Sequence, residues 1–271
     1  MRKPLVFTDL DGTLLDEQRY SFADALPALE MLHTQGIPLV FCSSKTRAEM
    51  EGYRRRMDNV HPFIVENGGG IFIPPGYFTV PVGGAENFDG YLLVAFGKPH
   101  ALIRRCFVEL RERMGVRARG FTDMTVEEVA ALTGLSPAEA VLARQRDFDE
   151  PFVFDGAPDE AFLAAIADVG LNWTQGRIFH VMGTHDKGRA VRFLKSLYER
   201  EFGGVSTLAL GDGYNDLPML EAVDQAVLVR HEDGDYEPRI DIAGLVKTRG
   251  PGPVGWNEAV LQLLSEGSGA K

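Results

Sequence analysis

The 271-residue sequence predicts an α/β fold, a parallel sheet with helices on both faces that is interrupted by an inserted α+β domain. Three observations carry this expectation. Short apolar runs alternate with helical stretches over residues 5–65, and the same alternation returns after Gly183. Residues 74–84 are rich in Pro and Gly, the composition of a domain boundary. Residues 84–182 carry a different rhythm, with short strands and helices in mixed order.

Leu5-Val6-Phe7 sets a strand over 5–8, followed by a helix over 23–35 that Gly36 ends as C-cap. A second strand is expected over 38–41, a helix over 47–57 with Ser43 or Ser44 suited to its N-cap, and a third parallel strand over 63–65. Asn67-Gly68-Gly69-Gly70 reads as a hairpin turn, and a junction falls near Gly83. The insert holds strands over 91–96, 152–154, 171–174 and 178–181 and helices over 101–114, 126–133, 137–144 and 159–169. The sheet is then completed by a helix over 187–201, a strand over 207–210, a helix over 217–222, strands over 226–229 and 245–247 and a helix over 256–264, before a frayed tail at 267–271. Residues 1–83 plus 183–271 thus form the expected core and 84–182 the insert.

A net charge of -11 argues against a nucleic-acid backbone as partner. Two cysteines, Cys42 and Cys106, are too few for a disulfide framework, and no charged leader or membrane-length apolar run is visible. A cytoplasmic protein with neither membrane nor nucleic-acid partner is expected, as monomer or homodimer, acting on a small molecule.

Asp9-Leu10-Asp11-Gly12-Thr13 places two carboxylates at the end of the first strand, and Gly211-Asp212-Gly213-Tyr214-Asn215-Asp216 repeats the arrangement after a later one. Ligands of open α/β sheets sit outside the carboxyl ends of the strands, so the two clusters meet at one site. Asp9 and Asp212 suit a hard divalent cation such as Mg²⁺, which takes oxygen ligands and needs one or two carboxylates beside a substrate phosphate. With such an ion between Asp9, the backbone carbonyl of Asp11 and Asp212, Asp9 has the chemistry of a nucleophile on phosphorus and Asp11 that of a general acid and base. Ser43, at the end of the second strand, and Lys187, at a helix start, are candidate phosphate ligands; on residue type alone a cap and a solvated charge are the favoured explanations, and it is their placement beside the acidic clusters that points to phosphate. His180 and His185 lack the spacing of a zinc pair, and no P-loop is present.

Asp9-Leu10-Asp11-Gly12-Thr13-Leu14-Leu15, Ser43, Lys187 and Gly211-Asp212-Gly213-Tyr214-Asn215-Asp216 resemble, in order and spacing, the four motifs of the haloacid dehalogenase (HAD) superfamily of phosphotransferases. The resemblance covers essentially the whole chain and implies a Rossmann-like core with an α+β (C2B) cap of the Cof-type, class IIB branch, Mg²⁺ and an aspartyl-phosphate. It makes Asp9 the nucleophile, Asp11 the acid/base, Ser43 and Lys187 phosphate ligands, Asp212 a metal ligand, and Asn215 and Asp216 auxiliary ligands. Ser43-Ser44-Lys45-Thr46-Arg47, Glu66-Asn67-Gly68-Gly69, Arg146-Asp147-Phe148-Asp149-Glu150 and Gly176-Arg177-Ile178-Phe179-His180 further resemble the mannosyl-3-phosphoglycerate phosphatases. That likeness implies an anionic phosphorylated glycoside as substrate, contacted by Lys45, Gly68, Gly69, Arg146, Arg177 and His180, with Arg146 and Arg177 as carboxylate ligands. A generic sugar-phosphate phosphatase, a phosphomutase of the same superfamily and a silent phosphosugar-binding module are the alternatives; the adjacent charges of Asp9 and Asp11 speak against the last.

Overall fold

The structure, a computed structural model, describes residues 2–269. The chain runs β1 (Lys3–Thr8), α1 (Leu26–Gln35), β2 (Leu39–Phe41), α2 (Arg47–Arg56), β3 (Phe63–Val65), β4 (Gly70–Ile73), β5 (Glu86–Phe88), β6 (Tyr91–Ala95), α3 (His100–Met114), β7 (Ala118–Gly120), α4 (Val126–Thr133) and α5 (Pro137–Ala143). It continues through β8 (Asp149–Phe154), α6 (Glu160–Asp168), β9 (Asn172–Gln175), β10 (Phe179–Met182), α7 (Lys187–Phe202), β11 (Val205–Gly211), α8 (Leu217–Leu220), β12 (Gln225–Arg230), β13 (Val246–Pro251) and α9 (Gly252–Gly269).

Five parallel strands in the order β13-β12-β11-β1-β2 form the central sheet, as the alternation predicts. Both of its faces are buried. Val6, Leu210 and Val227 turn toward one apolar cluster, while Leu5, Phe7, Ala209 and Leu228 turn toward the other, the period-two division of a sheet covered on each side. Trp256 of α9 is fully buried and its Nε1 donates to Thr8 Oγ1 at 2.9 Å, fixing the last helix beneath the end of β1. α9 extends to Gly269, into the tail expected from 267, and 270–271 lie outside the described residues.

β3 departs from expectation. A single parallel bridge, Cys42 to Ile64, joins it to the central sheet, and it turns back antiparallel onto β4. The reversal is made by Glu66 and Asn67, which both take positive φ, 48° and 56°. The resulting second sheet has the order β3-β4-β6-β5, so the junction expected near Gly83 falls between two strands, β4 and β6, of one sheet. Nor is α2 capped by Ser43 or Ser44: Thr46 accepts from Glu49 N while Glu49 accepts from Thr46 N, a reciprocal box whose spacing satisfies two orphan donors.

The third sheet, β7-β8-β10-β9, is antiparallel and packs α3 and α6 through Phe107, Phe152 and Phe162. β8 starts at Asp149, earlier than its apolar residues suggest, because its two carboxylates are paired. Glu150 accepts from Thr122 N and Oγ1, both at 2.9 Å, and meets His100 Nε2 at 2.5 Å. Pairing removes the cost that otherwise keeps acidic residues out of a buried strand.

The segment leading into β8 is bolted to the second sheet. Glu66 accepts from the backbone N–H groups of Asp147, Phe148 and Asp149 at 2.9, 2.7 and 3.0 Å. Phe148 lies against Gly69, Gly70 and Gly97, where any side chain would collide with it: a Cβ on Gly69 would stand 2.3 Å from Phe148 Cβ. Gly69→Ala is therefore expected to lower stability by about 1–3 kcal/mol through overpacking. A thermal or urea melt checks this, and an unchanged midpoint would show that the segment lifts freely from the glycines.

Candidate active site

Parallel pairing brings three strand ends side by side. Phe7 and Thr8 pair with Ala209 and Leu210 on one flank, and Thr8 pairs with Phe41 on the other, so Asp9, Asp212 and Ser43 emerge from adjacent strands at the same edge. α7 delivers Lys187 from its first turn, behind the N-cap Asp186, whose side chain accepts from Arg189 N.

Lys187 is fully buried, and its Nζ donates to Asp9 Oδ1 and Asp216 Oδ1, each at 2.7 Å. The other Asp216 oxygen accepts from Asp212 N and Gly213 N, both at 3.0 Å, which shapes the turn after β11. Asp212 Oδ1 accepts from Thr13 Oγ1, and the close passage of Gly12 makes this possible: a Cβ there would lie 2.6 Å from Asp212 Oδ2, and its φ of 75° favours glycine as well.

Among the described residues, Asp9, Asp212 and Asp216 bring carboxylate oxygens within 4.8 Å of one another. Burial pushes Asp9 up to about 7; Asp216 and Asp11 add to the rise and Lys187 opposes it. Asp212 is likewise driven well above the usual carboxylate range by burial and by Asp216 and Asp9. Three crowded oxygen donors with an excess of negative charge suit a hard divalent cation, which would relieve that repulsion. Asp216, expected as auxiliary, stands within this cluster. The side chain of Asp11 stands outside it, with Oδ2 at 2.9 Å from Lys45 Nζ and Oδ1 buried without a partner among the described residues. Burial opposes the charge on Lys45, but Asp11 and Glu49 outweigh it and raise the ammonium above its ordinary range.

These groups open into a cavity of about 330 Å³ bounded on one side by Asp9, Asp11 and Asp212 and on the other by Arg146, Arg177 and His180. Lys45 and Asn215 line it too. Gly68 and Gly69 do not: a Cβ on Gly68 would meet the Asp186 carbonyl oxygen at 2.2 Å, and Gly69 faces Phe148, so both serve close backbone approach. Ser43 is buried, with Oγ accepting from Lys45 N at 3.3 Å.

Arg146 lines the cavity with a guanidinium already engaged. Nε donates to Asp149 Oδ1 and Nη2 to the Ser44 carbonyl, both at 2.7 Å, with Glu66 and Glu49 alongside. Asp149 also meets His180 Nδ1 at 2.8 Å. Burial works against ionisation of Asp149, yet Arg146 and His180 together hold its carboxyl below the usual range. Asn67 continues the network, reaching Asp149 Oδ2 at 3.5 Å and accepting from Asn215 Nδ2 at 3.2 Å. Sequence reasoning assigned no role to Asp149, Asn67, Tyr20 or His231, whose Nε2 lies 2.9 Å from the Asp212 carbonyl oxygen. Asp149 and Asn67 stand inside the motifs Arg146-Asp147-Phe148-Asp149-Glu150 and Glu66-Asn67-Gly68-Gly69 without a role of their own; nothing local signals Tyr20 or His231.

Two measurements follow from this charge pattern. Lys187→Met leaves buried like charges uncompensated and is expected to cost about 3–5 kcal/mol in EDTA, read from urea unfolding. An unchanged midpoint there would mean that Lys187 does not balance the carboxylates. The depressed Asp149 carboxyl contributes its full stability above the unfolded carboxylate pKa of about 3.9 and loses it as pH falls below. The stability gap between the native chain and Asp149→Asn should therefore narrow from about pH 5 toward about pH 2.

The family model of the haloacid dehalogenase-like hydrolases matches residues 6–76 and 161–233. A glucosyl-3-phosphoglycerate/mannosyl-3-phosphoglycerate phosphatase of Methanococcoides burtonii is 44% identical over 269 residues, spanning 97% of this chain and 98% of that protein. A protein of the same description from Persephonella marina is 40% identical over 266 residues, spanning 97% of each. A solved structure from Thermoplasma acidophilum matches the fold with a TM-score of 0.71 at 16% identity, over 97% of this chain and 98% of that one. With its four motifs assembled at one sheet edge and relatives this similar along nearly its whole length, the chain belongs to the haloacid dehalogenase-like hydrolase family.

Proposed function

We propose that the protein is a Mg²⁺-dependent phosphatase that hydrolyses mannosyl-3-phosphoglycerate to mannosylglycerate and phosphate, with the glucosyl analogue as its nearest competitor. The observation that carries this reading is the pairing of an Asp9–Lys187–Asp216 core with relatives named for these two substrates.

In this reading Asp9 attacks phosphorus and forms an aspartyl-phosphate as the P–O bond to the glycerate carbon's oxygen breaks. Asp11 gives its proton to the departing alkoxide, then takes one from the water that attacks the phosphoryl group, so that Asp9 is regenerated and phosphate leaves. Lys187 offsets phosphoryl charge, and Ser43 beside the strand end can donate a hydrogen bond to a phosphoryl oxygen. Asp9, Asp212, Asp216 and the Asp11 carbonyl would hold Mg²⁺, which would supply Lewis-acid stabilisation of that charge. The carboxylate of the leaving glycerate falls to Arg177, because the Arg146 guanidinium is already engaged by Asp149 and the Ser44 carbonyl.

The covering unit is best taken as residues 98–182, the antiparallel sheet and its helices, since β6 pairs with β4, and β5 with β6, on the core side. Its two connections run together: a Cβ on Gly183 would lie 3.2 Å from Lys98 N. Hinge movement there, at Gly97 and Gly183, would admit substrate and then exclude water.

Phosphate release with Mg²⁺ from mannosyl- and glucosyl-3-phosphoglycerate, sucrose-6-phosphate, mannose-6-phosphate and 3-phosphoglycerate tests the substrate. Preference for the glycosyl phosphoglycerates is expected; broad weak activity would point to a generic sugar phosphatase. Asp9→Asn should lower kcat by ~10⁴-fold or more with circular dichroism unchanged. Turnover surviving that substitution would rule out the covalent route.

A further inference from the structure

Tyr20 stands where no sequence motif points. It belongs to a core loop shaped by Asp16, whose carboxylate accepts from Gln18 N, Arg19 N and Ser21 N at 3.1, 2.6 and 3.0 Å, while Tyr20 N donates to the Asp16 carbonyl at 3.1 Å. Its φ of 52° is one that a bulky side chain rarely adopts. So held, the side chain crosses to the insert: its hydroxyl donates to the Thr133 carbonyl at 2.8 Å and accepts from Arg177 Nη1 at 3.0 Å. The ring packs against apolar clusters of both the core and the insert, and Lys45 Nζ lies 4.9 Å from its centroid.

Arg177 sits in the tight connection between β9 and β10, exposed, at the rim of the cavity it lines. A long side chain on such a connection samples many rotamers unless something holds it. Tyr20 supplies the hold: with its donor spent on Thr133, the hydroxyl presents only an acceptor to Arg177 and leaves the remaining guanidinium N–H groups for a ligand. Thr133 in turn fixes the hydroxyl's direction.

We infer that Tyr20 is a positioning residue that orients Arg177 toward an anionic leaving group and so sets the preference for carboxylate-bearing phosphate esters. The inference rests on the functional reading above, and it separates two effects of the same contact: holding the insert down, which serves every substrate, and aiming Arg177, which serves only those with a carboxylate.

The test is steady-state kinetics of the full chain with Mg²⁺ on mannosyl-3-phosphoglycerate and on mannose-6-phosphate, whose leaving group carries no carboxylate, for the native chain, Tyr20→Phe, Arg177→Met and the double variant. Tyr20→Phe removes one hydroxyl and keeps the ring packing, so folding is preserved. It should lower kcat/KM for the glycosyl phosphoglycerate about tenfold, mainly through KM, and leave that for mannose-6-phosphate within about twofold. The double variant should be no worse than Arg177→Met alone. Equal losses on both esters, no loss, or additive losses in the double variant overturn the inference. A native chain with no preference for the carboxylate-bearing ester overturns the functional reading, and this inference with it.

Discussion

Everything around the site answers to one electrostatic constraint: Asp9, Asp212 and Asp216 place their carboxylates within 4.8 Å of one another in a buried environment. Such a group of like charges persists only if the surroundings compensate it. Lys187 is the compensation built into the chain, and its complete burial at the start of α7 explains why that helix must begin where it does. The turn after β11 contributes two backbone N–H groups to Asp216, and Thr13 donates to Asp212. What remains is a deficit of positive charge at a rim of oxygen donors, the condition under which a divalent cation and a phosphate dianion bind together.

A second network answers to the first. The strained turn at Glu66 and Asn67 faces both halves of the molecule: Glu66 receives three backbone N–H groups from the segment entering β8, while Asn67 links Asn215, beside the acidic cluster, to Asp149. Strain at two successive residues is tolerated because those bonds over-determine it. These bonds tie Asp149, and through it Arg146 and His180, to the catalytic edge although all three sit on the insert, so that movement of the insert would have to break them.

How much of this was legible in the sequence depended on the range of the interactions. The alternation of apolar runs located the central strands and most helices to within a few residues, since side-chain period and capping are local properties. β3 was placed in the wrong sheet because its apolar run is identical in kind to those of parallel strands; the turn that reverses it uses Glu66 and Asn67 in a conformation their identities do not require. β8 was cut short because Asp149 and Glu150 read as loop residues until His100, Thr122, Arg146 and His180 are seen around them.

By itself the sequence determined the chemistry on offer: two acidic clusters at strand ends, a lysine at a helix start and the order in which they occur. Those are covalent facts, and parallel pairing brings the carboxyl ends of the strands that carry them to one edge of the sheet. The tertiary structure alone decided which charges are spent and which are free. Arg146 and Arg177 are the same residue type in similarly suggestive motifs, yet the first is neutralised by Asp149 and the second, among the described residues, meets a phenolic oxygen and no carboxylate. That difference arises from contacts between residues distant in the chain, and no reading of neighbours along the backbone contains it.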